Sequence, residues 1–375
     1  MKKKIWFSIF SFLIFLISMS FPKPILNIYA DQLTTAKAMC VIEKNTHRIL
    51  YAKNQDTKLA NASTTKIATF LTILKHCDNF DKIITIDNRA IGITGTSIYL
   101  KQGEKLSIKE LLLGMMLVSG NDAATALALS ISPSVEEFAI LMTKEAQKCG
   151  AFNTTFKNPH GLDEDGHFTT AYDLALITAE CYKYDIFKEI VTTKTAKISN
   201  VTGYRYLKNK NKLLNTLDGC VGVKTGFTNN AGRCLVSSAE RDNMQVICVV
   251  LNCGPMFEES YSLLEKSFQE YDIVTLLTPY TYLRTIPVSN SNSLEVKLYT
   301  QKGFSYPLSE YDRQKIEIIA EIPNQISAPI EKEQQVGELK IYLDNNLLFC
   351  EKIYTMEEVK SNKVVDNFKR VISNW

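Results

Sequence analysis

The sequence predicts an α+β layer fold, an antiparallel sheet with helices, followed by a small all-β domain. Three observations carry this. Apolar strand patterns flank a long helical stretch, at 38–52 and again from about 219. Helix-start signals punctuate the stretch between them. Near 278 the chain changes to alternating apolar runs broken by Pro279, Pro287 and Ser289-Asn290-Ser291-Asn292-Ser293. Of 375 residues, 45% are hydrophobic and 22% charged. That supplies a sizeable core and excludes a disordered, collagen-like or disulfide-dense chain.

Taken in order, Lys2-Lys3-Lys4 precede a charge-free run from Ile5 to Phe21, and the chain then reaches Ile28-Tyr29-Ala30. A basic start, an apolar run and a small-residue exit make a secretory leader, cleaved after or close to Ala30. A retained membrane span is the alternative, but the run is short and holds four serines. Residues 1–30 carry four lysines and no acid, so the formal charge of +3 falls to −1 without them. No nucleic-acid partner is therefore expected.

Ala38 to Ile42 and Arg48 to Ala52 read as two strands joined at Glu43-Lys44-Asn45-Thr46. Helices dominate from 63 to 184. Ser107-x-x-Glu110 is a capping box ahead of the apolar run 111–118; Ser134-x-x-Glu137 and Thr170-x-x-Asp173 open two more helices. Strands return at Cys220–Val223, Cys234–Ser238 and Gln245–Leu251, and 257–276 reads as one helix. Beyond 278, strands are expected around Leu294–Leu298, Ile316–Ile322, Val336–Ile341 and Leu347–Phe349, with a turn at Asp344-Asn345-Asn346. The expected divisions are 1–30 leader, 31–277 catalytic domain, 278–353 β domain and 354–375 tail. In the tail, Val364, Val365, Phe368, Val371, Ile372 and Trp375 share one helical face among basic residues. Such a helix suits a membrane surface; the alternative is a helix packed back on the β domain. The nine cysteines form no CxxC or zinc-type cluster and lie mostly in apolar stretches, as small buried hydrophobes do. No metal or cofactor is expected.

Three short motifs carry chemistry. In Ser63-Thr64-Thr65-Lys66, positions i and i+3 share a helix face, so Lys66 can reach the Ser63 hydroxyl. A serine needs such a base, and lysine serves only when neutral; burial and a second cation would both lower its pKa. Alone, SxxK is weak: Ser20-Phe21-Pro22-Lys23 matches too. Ser119-Gly120-Asn121 follows a buried helix, where a loop begins, and offers a hydroxyl to relay a proton and an amide to bind a carbonyl. Alone it would be a helix end capped by Gly120. Lys224-Thr225-Gly226 closes the strand Cys220–Val223. Thr225 suits a carboxylate, and Gly226 lets a substrate backbone lie against the strand. Lys224 is the second cation that Lys66 needs.

The motifs stand in chain order, 56 and 105 residues apart. Together they resemble the S-x-x-K, S-x-N, K-T-G set of penicillin-binding proteins and serine β-lactamases. The chain resembles the D-alanyl-D-alanine carboxypeptidases of the low-molecular-mass penicillin-binding class, peptidase family S11. Asn158-Pro159-His160-Gly161-Leu162-Asp163, Gly166-His167 and Asp218-Gly219 fit as well, and the resemblance spans about 36–350. It implies a β-lactamase/transpeptidase-like catalytic domain acting outside the cytoplasm, peripheral to the membrane and wall. It implies stem peptides ending in D-Ala-D-Ala as substrate and β-lactams as covalent inhibitors. The tail helix would sit on the outer face of the cytoplasmic membrane.

By the same resemblance Ser63 is the acyl-enzyme nucleophile, Lys66 its proton acceptor and Ser119 the relay to the leaving amine. Asn121 orients the acyl amide. Lys224 and Thr225 bind the terminal carboxylate, with Lys224 linked to Ser119. The amides of Ser63 and Phe227, after Gly226, form the oxyanion hole. Some relatives carry His where Phe227 stands, and some supply an arginine near 252–255, where this chain has none; Arg233 and Arg241 are the nearest in sequence. His160 and His167 read as loop-structuring, since Lys66 already fills the base role. A class A β-lactamase would need E-x-x-L-N between the second and third motifs, and the string is absent. A D,D-transpeptidase of the same superfamily is a competing reading. So is a catalytically dead wall-binding protein, against which the intact motif set argues.

Overall fold

The computed structural model describes residues 34–201, 203–362, 368, 371 and 372. The expected leader and half of the tail face, Val364, Val365 and Trp375, lie outside the described residues. Strands β1 (Ala38–Glu43) and β2 (Ile49–Lys53) form the expected hairpin. The Glu43 carboxylate closes it by accepting from the Asn45 and Thr46 amides at 3.1 and 2.8 Å. Helix α1 (Lys66–His76) follows, buried along most of its length, then a short β3 (Ile83–Thr85)–β4 (Lys105–Ser107) pair. Helices α2 (Ile108–Leu117), α3 (Asn121–Ile131), α4 (Val135–Lys148), α5 (Ala171–Cys181) and α6 (Asp185–Thr192) pack around α1. The predicted start signals hold: Ser107, Ser134 and Thr170 each accept from the amide three residues on.

Next comes a hairpin that the sequence pattern does not predict, β5 (Thr195–Asn200) and β6 (Gly203–Lys208). Only Ile198 and Leu207 on its inner face are buried aliphatics, too few to signal strands. A short helix α7 (Leu213–Thr216) leads to β7 (Cys220–Thr228), β8 (Gly232–Arg241), β9 (Met244–Leu251) and helix α8 (Met256–Glu270). The five-stranded sheet runs β2-β1-β9-β8-β7, antiparallel throughout, so the first and last strands of the domain share one sheet. Cys40, Ile42, Val236 and Val249 point into the helical core on one face. Met39, Val41, Leu235 and Val250 pack against α8 on the other. Burial on both faces explains why β1 and β9 read as continuous apolar runs.

The expected helix over 257–276 is too long. It ends at Glu270, and Asp272–Leu277 is strand β10. The β-branched Ile273-Val274-Thr275 favour extended backbone, and β10 pairs with β13 (Phe304–Leu308). Strands β11 (Tyr282–Ser289), β12 (Glu295–Thr300), β14 (Ile316–Glu321), β15 (Ile326–Ser327), β16 (Gln335–Leu343) and β17 (Asn346–Thr355) form a second sheet, order β14-β16-β17-β12-β11-β15. A short helix α9 (Glu310–Arg313) precedes β14. Asp344 and Asn345, at φ 52° and 65°, make the tight turn between β16 and β17. Its core holds Ile286, Leu298, Leu339, Ile341 and Ile353. The chain stays pinned beyond β17: Val359 exchanges two backbone hydrogen bonds with Ile330.

Among the described residues no disulfide forms, and Cys40, Cys181, Cys234, Cys248 and Cys253 are buried. Nor, among these residues, is any single helix long and apolar enough to cross a membrane.

Candidate active site

Ser63 sits in a 3-10 turn, Ala62–Thr65, at the N-terminal end of α1. The turn is built by its own polar side chains. Asn61 Nδ2 donates to the Thr64 and Thr65 hydroxyls, each at 3.1 Å, and Thr64 Oγ1 donates back to the Asn61 carbonyl at 2.6 Å. Ala62 is left-handed at φ 47°, a conformation that costs an alanine about 1 kcal/mol and persists only where packing imposes it. Two glycines make room for the turn. A Cβ on Gly161 would lie 1.9 Å from the Ala62 carbonyl oxygen. A Cβ on Gly226 would lie 3.0 Å from both the Ser63 nitrogen and the Asn61 carbonyl oxygen. Gly226 therefore makes room for the serine turn itself.

Lys66 opens α1 and is 0% exposed. Its Nζ lies 3.0 Å from Ser63 Oγ, 2.7 Å from Asn121 Oδ1 and 2.7 Å from the His160 carbonyl. Burial first, and then the charges of Lys224 and Lys210, hold its pKa well below that of a free lysine, against a smaller opposing effect of Asp122. Lys224, 1% exposed, donates to the Thr225 carbonyl at 2.7 Å. Burial, followed by Lys210, brings it down to about 7.

Two placements correct the expectations from sequence. The K-T-G motif lies within a strand, not at its end. Strand β7 runs on to Thr228, pairing Thr225 with Leu235 and Phe227 with Arg233. Because β7 is the outer strand, its other edge faces the Ser63 turn. The S-x-N motif is a joint between two helices and does not open a loop. Ser119, not Gly120, takes the left-handed conformation at φ 70°, and Asn121 is the first residue of α3. Among the described residues the Ser119 hydroxyl has no hydrogen-bond partner, and none joins it to Lys224. Asn121 is held at both ends: Oδ1 accepts from Lys66, and Nδ2 donates one of its two hydrogens to the Thr94 carbonyl at 2.6 Å. Phe227 stands at the rim, 63% exposed.

His160 and His167 structure the loop. His167 Nδ1 accepts from the Lys157 amide, leaving Nε2–H to meet Thr65 Oγ1 at 2.9 Å. Burial lowers His167 to about 4 and His160 to about 3, so both are neutral at physiological pH. Thr228 donates to Asp163 at 2.9 Å, tying that loop to the end of β7. Arg241 is held by Glu265 and the Asp218 carbonyl.

Three contributors escape sequence reasoning. Lys210, whose charge acts on both buried lysines and whose Nζ reaches Thr96 Oγ1 at 3.5 Å, sits in Lys208-x-Lys210-x-Lys212, which reads as a solvated face. Asn61 precedes a motif and carries no signal of its own. Asp122 collects the Ser97 hydroxyl and the Ile98, Leu100 and Ala123 amides, and its signal is masked by the motif residue Asn121 beside it.

An antiparallel sheet backing a buried lysine on a helix-start serine, followed by a β domain, has the layout of the penicillin-binding serine enzymes. The profile of the D-alanyl-D-alanine carboxypeptidase family, Peptidase S11, matches residues 27–254, and that of the penicillin-binding protein 5 C-terminal domain matches 271–361. The chain is similar to D-alanyl-D-alanine carboxypeptidase DacF of Bacillus subtilis, 33% identical over 91% of this chain and 90% of that one. Penicillin-binding protein 5 of Haemophilus influenzae superposes with a TM-score of 0.73 at 28% identity, covering 88% of this chain and 98% of that one. The DD-transpeptidase of Streptomyces K15 superposes at 0.60 with 32% identity, over 63% of this chain and 98% of that one. The chain belongs to the D-alanyl-D-alanine carboxypeptidase family, and with it to the serine-type carboxypeptidases of cell-wall metabolism.

Proposed function

We propose that this protein releases the terminal D-alanine of peptidoglycan stem peptides through an acyl-enzyme on Ser63. The observation that carries this is buried Lys66, 3.0 Å from Ser63 Oγ and depressed by two further cations. A neutral Lys66 has two N–H bonds, for Asn121 Oδ1 and the His160 carbonyl, and a lone pair for the Ser63 hydroxyl. Ser63 Oγ attacks the carbonyl carbon of the penultimate residue as its proton passes to Lys66. The Ser63 and Phe227 amides receive the oxyanion, and Gly226 keeps the two at close range. Ser119 hands its hydroxyl proton to the departing D-alanine amine and takes back the one Lys66 received, which leaves Lys66 neutral again, and water then hydrolyses the ester. Lys224 and Thr225, joined by Lys210, hold the terminal carboxylate. The peptide lies extended along the free edge of β7. Asn121 fixes Lys66 through Oδ1, and the second N–H of its Nδ2, not used on Thr94, orients the acyl amide. β-Lactams acylate Ser63 because their strained amide mimics the dipeptide.

The test is D-alanine release from a pentapeptide analogue by the mature chain, with Ser63→Ala as control and labelled penicillin as a second readout. Absence of both release and labelling in a folded protein sinks the assignment. Transpeptidation is the second reading, favoured by the likeness to the Streptomyces DD-transpeptidase; an added amine acceptor that captured most acyl groups would establish it.

Export and membrane attachment belong to the same proposal. The leader directs the chain outward, and the tail helix rests on the outer membrane face. Phe368, Val371 and Ile372, all exposed, support this. Because Val359 and Asn362 are bonded into the β domain, the informative truncation removes only 363–375. It should free the protein from membranes without altering peptide hydrolysis, and retention on membranes would refute the anchor.

A further inference from the structure

We propose that the outer face of the β5–β6 hairpin, with Tyr99 beside it, binds the glycan strand that carries the stem peptide. The proposal rests on the function assigned above. The hairpin register sets Tyr206 opposite Lys197 and Tyr204 opposite Ser199, on the face away from buried Ile198 and Leu207. Tyr204 is 60% exposed and Tyr206 79%. Lys197 Nζ sits 3.6 Å from the Tyr204 ring centroid, which steadies that ring. Tyr99 is 81% exposed and left-handed at φ 59°, an uncommon state for a bulky residue. Rigid, exposed tyrosines offer large contact area at low entropic cost.

The platform is fastened to the active site. Arg205, on the inner hairpin face, uses all five of its donors. It forks onto Glu104 at 2.6 and 2.8 Å and reaches the carbonyls of Ile98, Tyr99 and Ser199. The loop it grips is the one whose Thr94 and Thr96 carbonyls hold Asn121. Two residues past β6, Lys210 exerts its charge on Lys66 and Lys224. The hairpin that carries the rings therefore shares a scaffold with the site.

The chemistry of the face selects the partner. A pyranose presents an apolar CH face and a hydroxyl edge. Here the two rings on β6 stand opposite Ser199 and Lys197 on β5, with Thr195 and Lys208 as the next pair on the same face. Exposed tyrosines among lysines also suit a bilayer interface, so vesicles are an arm of the test below; the tethering of the substrate favours the sugar. The stem peptide is covalently tethered to a polymer of β-linked N-acetylhexosamines, so a weak platform suffices: once the peptide is bound, the sugars arrive at high effective concentration.

The experiment compares two substrates on the full mature chain, a free pentapeptide and the same pentapeptide on its disaccharide. In Y204A/Y206A, kcat/KM should fall about tenfold on the glycan-linked substrate and stay unchanged on the free one. Y204F/Y206F should behave as the parent, because the rings remain. Peptide-stripped glycan strands should sediment Ser63→Ala protein and release it when the tyrosines become alanine. Equal losses on both substrates, no loss on either, or tyrosine-dependent capture by phosphatidylglycerol vesicles in place of glycan would overturn the proposal. Failure of the function assigned above looks different: no D-alanine from the free pentapeptide with the tyrosines intact, whatever the glycan does.

Discussion

Lys66, Lys224 and Lys210 form one electrostatic unit, and their mutual repulsion makes the first prediction quantitative in sign. Acylation needs Lys66 neutral, so the rate rises as pH climbs through its depressed pKa. It needs Lys224 charged, so the rate falls as pH climbs through about 7. Lys210 lowers both groups. Lys210→Met should therefore move both limbs of the penicillin-acylation profile of the free enzyme to higher pH, and an unmoved profile would refute the coupling. The two glycines at the serine turn divide along another line. At Gly161, φ +87° and a Cβ 1.9 Å from backbone oxygen leave no room to adjust. Gly161→Ala should destabilise the fold by about 3 kcal/mol in denaturant titration. Gly226→Ala meets atoms at 3.0 Å; a shift of a few tenths of an ångström accommodates it. The thermal midpoint should change little while acylation drops at least about tenfold, since the displaced atoms are the Ser63 amide and its turn.

At the scale of elements, capped helices and two-sided strands were legible in the sequence, because a cap is a local event and a strand buried on both faces is apolar throughout. Boundaries set by distant partners were not. The K-T-G residues read as a strand end because charged Lys224 interrupts the apolar run, yet the ladder with β8 carries the strand four residues further. The hairpin β5–β6 leaves no pattern because its stability comes from Arg205 and Glu104, 101 residues apart. The serine, the lysine pair and the asparagine were legible through spacing. The Asn61 brace and the third cation were not, since neither belongs to a pattern. Arg205 is the element-scale test. Arg205→Ala strands the buried Glu104 carboxylate and should cost about 3–5 kcal/mol. Hydrogen exchange should speed up across 94–104 and 195–208 together. Arg205→Lys should not restore protection, because a point charge cannot fork across five acceptors. Slow exchange in either segment would argue against a shared scaffold.

At the scale of the whole molecule, one arginine joins the two parts. Arg48, at the start of β2, pairs with Asp312 at 2.9 Å, donates to the Pro307 carbonyl and lies between the rings of Tyr271 and Tyr306 at 5.3 and 5.2 Å. Arg48→Ala should leave kcat/KM on a free pentapeptide unchanged and broaden the distance distribution in small-angle scattering; an unaltered curve would show that the remaining contacts suffice to lock the joint. The lysine cluster also acts beyond its contacts. Residues 31–375 carry a formal charge of −1, so at long range they neither attract nor repel an anionic wall. What a substrate carboxylate feels is the local field of the Lys224 and Lys210 ammonium groups, beside a neutral Lys66, in a partly desolvated cleft. That field extends about 30 Å at 0.01 M salt and about 3 Å at 1 M. Capture of the substrate, and hence kcat/KM, is therefore sensitive to ionic strength while the chemical step is not, and this wall enzyme's working rate follows the salinity of its surroundings.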